Sequence, residues 1–195
     1  MGTAHEPEPV RLLMGLLVAR QDLLAEAAER LIQPFGPISE RSQPVPFTHT
    51  TYYAQELGPQ PWRQFITFAR LVDPGDLAAI KVQTNALERA WTVEGKRLVN
   101  LDPGYISLSK LVLATTKNHW HRLYLGQGIY AEVTLPYRDG AFRPQEWTYP
   151  DYRTPEHLAF FSAARERYRR ELRAGNVARP TSQGWTASLS LEERG

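Results

Sequence analysis

The chain of 195 residues contains no cysteine. That absence removes disulfides, thiolate nucleophiles, zinc ribbons and iron–sulfur clusters at once. Long apolar runs are also missing. The strongest, Leu12–Ala19, falls short of the roughly 18–20 residues a membrane-spanning helix needs. It follows an acidic, proline-rich start, His5-Glu6-Pro7-Glu8-Pro9, rather than a basic region, so a signal peptide is not expected and the cytoplasm is the expected compartment. Charge of one sign is not in excess either. The formal net charge of +2 is too near neutral to define a polyanion-binding surface by itself. The P-loop pattern G-x-x-x-x-G-K-S/T, the dinucleotide pattern G-x-G-x-x-G, and the H-E-x-x-H and G-x-S-x-G patterns do not occur.

What is present is ordinary for a globular protein, with 42% hydrophobic and 23% charged residues. The length suits one compact domain. Residues 1–9 read as a flexible N-terminus and 10–174 as a single α+β domain. From 175 to 195 no amphipathic pattern survives, and a disordered tail is expected. Val10–Ala19 is apolar at almost every position, as in a strand buried on both faces. Leu23, Leu24, Ala27, Ala28, Leu31 and Ile32 make a helical stripe that Pro34 and Gly36 stop. Ile38 to Leu57 reads as extended or hairpin structure, and Arg63–Val72 as a second strong strand. Asp73, Pro74 and Asp76 signal a helix start, with Leu77, Ile80, Leu87 and Trp91 on its buried face. A strand over Arg97–Leu101 completes β-α-β-β-α-β, the ferredoxin-like arrangement. Ser107–Thr116 fits a short helix better than a strand. Trp120–Leu125 and Ile129–Leu135 form a hairpin around Gly126-Gln127-Gly128. A loop over Arg138–Arg153 leads to a final helix with Thr154 as cap, Pro155 at its first position, and Leu158, Phe161, Tyr168 and Leu172 buried.

Asn100 to Leu135 concentrates the polar chemistry between apolar runs. His119 and His121, two apart on a strand, share a face. A turn at Gly126-Gln127 sets Glu132 opposite His121, and a turn at Gln127-Gly128 sets it diagonally. Two imidazoles and a carboxylate suit a divalent metal or an acid–base pair, and equally suit structural hydrogen bonds on a wet sheet face. His49, in Thr48-His49-Thr50-Thr51, is a candidate third histidine for either role. Asp102-Pro103-Gly104-Tyr105 reads as a type II turn with Gly104 at positive φ, leaving Asp102 as a candidate ligand or base, or equally the turn's own hydrogen-bond acceptor, and Tyr105 as a substrate contact. Lys110, Lys117 and Arg122 are placed to receive an anionic substrate, although solvated positions would look the same. The arginines of the last helix, mixed with Glu166 and Glu171, read as a solvent face.

The strings LDPGYISLSKLVLATTK, HRLYLGQGIYAEVTL and WTYPDYRT resemble the prokaryotic family known as domain of unknown function 4416, over about Val10 to Leu172. Some relatives carry a GTP-binding label, but the chain has neither a P-loop nor an N-K-x-D motif. The expectation is a small cytoplasmic hydrolase or transferase acting on an anionic, phosphorylated or similar substrate, with or without a divalent metal. In it His49, His119, His121 and Glu132 form the acid–base or metal centre, Asp102 assists, and Tyr105, Lys110, Lys117 and Arg122 bind substrate. The alternative is an RNA- or nucleotide-binding module with Tyr52, Tyr53, Tyr105 and Trp120 as stacking platforms, or a scaffold that docks a protein near Trp147.

Overall fold

The computed structural model describes residues 2–48 and 54–175. In chain order the elements are β1 Val10–Val18, α1 Leu23–Phe35, β2 Ile38–Arg41, β3 Val45–Pro46, α2 Ala54–Leu57 and β4 Trp62–Val72. Then follow α3 Leu77–Glu88, β5 Thr92–Val93, β6 Lys96–Arg97, β7 Val99–Ile106 and β8 Lys110–Thr115. The chain continues through β9 Leu123–Gly126, β10 Ile129–Arg138, β11 Ala141–Phe142 and α4 Pro155–Arg173. The fold is α+β: three long helices on an antiparallel sheet ordered β11-β10-β8-β7-β1-β4-β2, with β3 added to β4 and β9 to β10. Among the described residues no helix is long and apolar enough to cross a membrane.

β1 is buried at all nine positions because helices or loops cover both faces of the sheet at its centre. Leu12, Met14, Leu16 and Val18 point to one face, where they meet Leu24, Ala27, Ala28 and Leu31 of α1 and Ile80 of α3. Leu13 points the other way, onto Phe65 and onto Phe161 and Ala164 of α4. Leu17, on that same face but nearer the strand end, packs on Phe47 and Leu57 instead. The sheet is therefore the middle of three layers, and α4 leaves one end of its own face open. Asp73 accepts from the Gly75 N–H at 2.7 Å and starts a 3-10 turn into α3, while the Thr154 hydroxyl accepts from the His157 N–H and caps α4.

Three expectations are corrected. Residues 110–115 form a strand, not a helix, because β8 is paired by β7 on one side and β10 on the other. Neighbours on both edges decide the state of a segment whose own pattern is ambiguous. Asp102-Pro103-Gly104 is not a turn but the middle of β7, and Gly104 has no positive φ. The glycine is needed for close approach: a β-carbon there would stand 2.3 Å from the Val112 carbonyl oxygen. His119 and His121 lie in a turn before β9, closed by the Arg122 N–H to the His119 carbonyl at 3.0 Å, and not on a strand. The hairpin that follows turns at Gln127 and Gly128, which have φ of 55° and 74°.

Candidate functional site

Pro103 divides the sheet. β7 and β8 pair only from Gly104–Leu113 to Ile106–Leu111. The Ser107 N–H bonds the Lys110 carbonyl at 2.9 Å, and strand backbone alternates, so Tyr105, Pro103 and Leu101 also face β8. Pro103 has no N–H to give. At Leu101 a helix replaces the missing strand: its N–H donates to Glu88 Oε1 at 2.7 Å, and its carbonyl accepts from Lys81 Nζ at 2.8 Å. Both partners come from α3, two turns apart on its buried face. β8 meanwhile runs on through Ala114 and Thr115 with β10 alone. Where the strands part there is a cavity of about 620 Å³, lined by residues of both.

One wall of the cavity is an ion cluster. Arg63 of β4, with its side chain 4% exposed, places Nη1 3.1 Å from Asp102 Oδ2 and Nε 2.8 Å from Asp151 Oδ2. Burial opposes the Arg63 charge, but Asp151 and then Asp102 outweigh it and the net shift of its pKa is upward. Burial likewise pushes the Asp102 carboxyl up, yet Arg63 and Lys81 hold it below the usual carboxylate range. Room for the cluster comes from Gly15, between Phe65 and Asp102 in the register of β4, β1 and β7. A β-carbon on Gly15 would stand 3.1 Å from both Arg63 Nη1 and Tyr152 Oη. The Tyr152 hydroxyl is fully buried, and burial raises its pKa well above that of a free tyrosine.

The opposite wall carries the histidines. His121 Nε2 and Arg122 Nε both meet Glu132 Oε2, at 3.1 and 2.8 Å. The Thr134 hydroxyl donates to the other oxygen at 3.3 Å. The side chains of His121 and Glu132 are 10% and 1% exposed. The His121 ring lies parallel to Trp147 at 5.0 Å and to His119 at 5.9 Å between centroids, 13° off in each case. Trp147 is fixed by its Nε1–H to the Val133 carbonyl at 3.0 Å. Its loop is tied by Arg153, which donates to the carbonyls of Thr148, Gln145 and Glu146. A carboxylate beside Arg122 only accepts, so the neutral His121 ring carries its hydrogen on Nε2 and its lone pair on Nδ1. Nδ1 is buried and has no partner among the described residues.

The cavity brings together Asp102, Lys117, His119, His121, Arg122 and Glu132 from the sequence-based set. Lys110 and Tyr105 are not among its lining residues. Lys110 opens β8 at the far end of that strand, and Tyr105 is half-buried against the core. His49, Tyr52 and Tyr53 lie outside the described residues. Besides Glu132, Arg122 holds the Lys117 carbonyl at 2.9 Å and the Tyr149 hydroxyl at 2.9 Å. The expected metal centre includes His49, which lies outside the described residues. No group of three or more His, Asp or Glu side chains among the described residues is placed to hold a metal.

Sequence reasoning missed Arg63, Lys81, Asp151 and Tyr152. Two signals were available. A lone glycine in the apolar run VRLLMGLLV marks close approach. Lys81, Thr84 and Glu88 recur at three- and four-residue spacing beside Leu77 and Ile80, a polar stripe where the helix faces inward; all three are buried.

Fold and cavity together define an α+β protein whose antiparallel sheet opens around a pocket walled by paired charges and aromatic rings. The chain belongs to the family described as Domain of unknown function (DUF4416), whose model matches residues 8–168. That span contains every residue of the cavity. No curated protein and no solved structure matches the chain.

Proposed function

We propose that the chain is a cytoplasmic enzyme, a hydrolase or transferase, that acts on a small anionic substrate in this cavity. His121 is its general acid–base group, and Glu132 orients that group. One observation carries the reading: His121 is held at Nε2 by a buried carboxylate and stacked on Trp147, yet its Nδ1, beside a cavity, has no partner among the described residues. A buried polar atom with no partner calls for an explanation, and a substrate proton is a chemically apt one. Arg122 supports the same role by keeping Glu132 an acceptor, which fixes the tautomer. Five lysines and arginines among the lining residues, against three carboxylates, favour a negatively charged substrate. A volume of about 620 Å³ suits a small molecule rather than a polymer. For the scaffold, the strand order β7-β1-β4-β2, with α1 and α3 in the intervening connections, supports a ferredoxin-like core extended by β8 to β11.

The test is a panel of phosphomonoesters, carboxylic esters and amides, assayed with the wild type and with His121→Asn. Loss of a general acid–base group lowers turnover by about 10²–10⁴-fold. His121→Asn is expected to show that loss with an unchanged melting temperature. Equal turnover by the two proteins would rule out the assignment.

A further inference from the structure

We propose that the wall of the cavity formed by α3 and the end of β8 is its anion subsite, and that the ligand's carboxylate or phosphate group is held there between Lys81 and Lys117. The inference rests on the reading of His121 for the orientation it implies, with the anionic end on this wall and the reacting end at the imidazole.

The three walls differ in how their charges are matched. On the β4–β7 wall, Arg63 is bound by Asp102 and Asp151, so an incoming anion would meet two carboxylates before it met the guanidinium. On the hairpin wall, Arg122 donates to Glu132, to the Lys117 carbonyl and to the Tyr149 hydroxyl. Arg97, at the edge of the cavity, is bound by Glu56 and Glu88, at 2.7 Å each. The remaining wall presents Lys81, Asn85, Ala114, Thr115 and Thr116, with no carboxylate among its described lining residues.

Lys81 is the centre of this wall. It is 6% exposed, and among the described residues its ammonium makes one hydrogen bond, to the Leu101 carbonyl at 2.8 Å. An ammonium has three donors. Among the described residues two N–H groups of this buried cation therefore have no acceptor, a costly arrangement that a bound anion relieves. Asp102, whose charge Lys81 helps to stabilise, is already bound to Arg63. Asn85 follows Lys81 by four residues and so projects from the same face of α3. Thr115 and Thr116 add hydroxyl donors from the β8 side. Lys117 is at the exposed rim, where it meets a ligand on entry. The parting of the strands at Pro103 is what lets a helix on the far face of the sheet supply the cation.

The experiment is calorimetric titration of the full chain with inorganic phosphate and, separately, with acetate. The proteins are wild type, Lys81→Gln, Lys117→Gln and His121→Asn. Removing a charge-assisted hydrogen-bond donor is expected to weaken binding about tenfold in each lysine variant. Stronger binding of phosphate than of acetate assigns a phosphate-bearing ligand, and the reverse a carboxylate. Lys117→Gln, at an exposed position, keeps the test open if Lys81→Gln does not fold. Binding unaffected by either lysine change, or no binding of either anion by wild type, would overturn the subsite. Lysine-dependent binding together with full turnover in His121→Asn would sink the acid–base reading alone and leave the subsite standing.

Discussion

Gly104 of β7 and Val112 of β8 approach so closely that a β-carbon on the glycine would stand 2.3 Å from the valine's carbonyl oxygen. That oxygen is backbone and cannot swing aside. Gly104→Ala must therefore shift β7 against β8 at the last pair before the strands part. Overpacking of this kind costs about 1–3 kcal/mol, and a backbone obstacle places the expectation at the upper end. Urea denaturation checks it, with Gly2→Ala as the control, since nothing lies within 4 Å of a β-carbon there. A Gly104→Ala midpoint equal to the control's would show that the strands have slack.

Leu101 yields a second prediction. Glu88 accepts from the Leu101 N–H with one oxygen and from Arg97 Nη1 with the other, both at 2.7 Å. Glu88→Ala leaves the buried Leu101 N–H without a partner, which costs about 1–3 kcal/mol, while Arg97 keeps Glu56. Glu88→Gln can still accept from Leu101 and should lose less than half of that. Amide hydrogen exchange at Leu101 separates the two: fast in the alanine variant, protected in the glutamine variant. Equal protection in both would mean that another group serves Leu101.

Much of this architecture was legible in the residues. β1, β4, α1, α3 and α4 announce themselves because each combines a strong apolar period with clear ends, such as Asp73-Pro74 and Thr154-Pro155. Glu132 and His121 were paired correctly, although through strand alternation that His121 does not in fact follow. The Asp102-Pro103-Gly104 reading failed because Pro-Gly has two uses. In a turn the pair supplies backbone angles; here Pro103 withholds a donor and Gly104 gives up its side chain to a neighbour. Nothing local distinguishes those uses, since the distinction lies in β8. Arg63 and Lys81 were passed over for a related reason. A single cation in an apolar element usually reaches out to water, and only the tertiary fold brings Asp151 to one and Leu101 to the other.

Arg63 tests the ion cluster. Replaced by Met, it leaves Asp102 and Asp151 without the cation that binds both, and only Lys81 and the Asn100 side chain to stabilise Asp102. The expected loss is about 3–5 kcal/mol, because an uncompensated buried charge costs more than the pair contributed. Adding Asp151→Asn to Arg63→Met removes one of the two stranded charges and should restore part of the loss. Non-additivity of that sign, read from denaturation of the four proteins in the cycle, would establish the coupling. Additive losses would show that Asp151 and Arg63 act separately.

His157 sets a pH dependence whose direction is fixed by its surroundings. It is buried against Phe65, with Nδ1 on the Asp151 carbonyl at 2.7 Å and Nε2 without a partner among the described residues. Burial lowers its pKa from the usual 6.5, the nearby Asp151 opposing this only in part. The folded protein thus keeps the ring neutral at a pH where the unfolded chain has already taken up a proton. Stability contributed by His157 is complete above about 6.5 and falls as pH drops below that value towards the lower folded pKa. Asp102 acts in a separate and lower window, since its folded pKa lies below the carboxylate range and its contribution is lost only as pH falls through that value. Denaturation midpoints between pH 7.5 and 5.5 should therefore decline in the wild type and decline less in His157→Phe, which fills the same site with nothing to titrate. An equal decline in the two proteins would mean that His157 protonates in the fold as easily as in water, and that its cavity admits the charge.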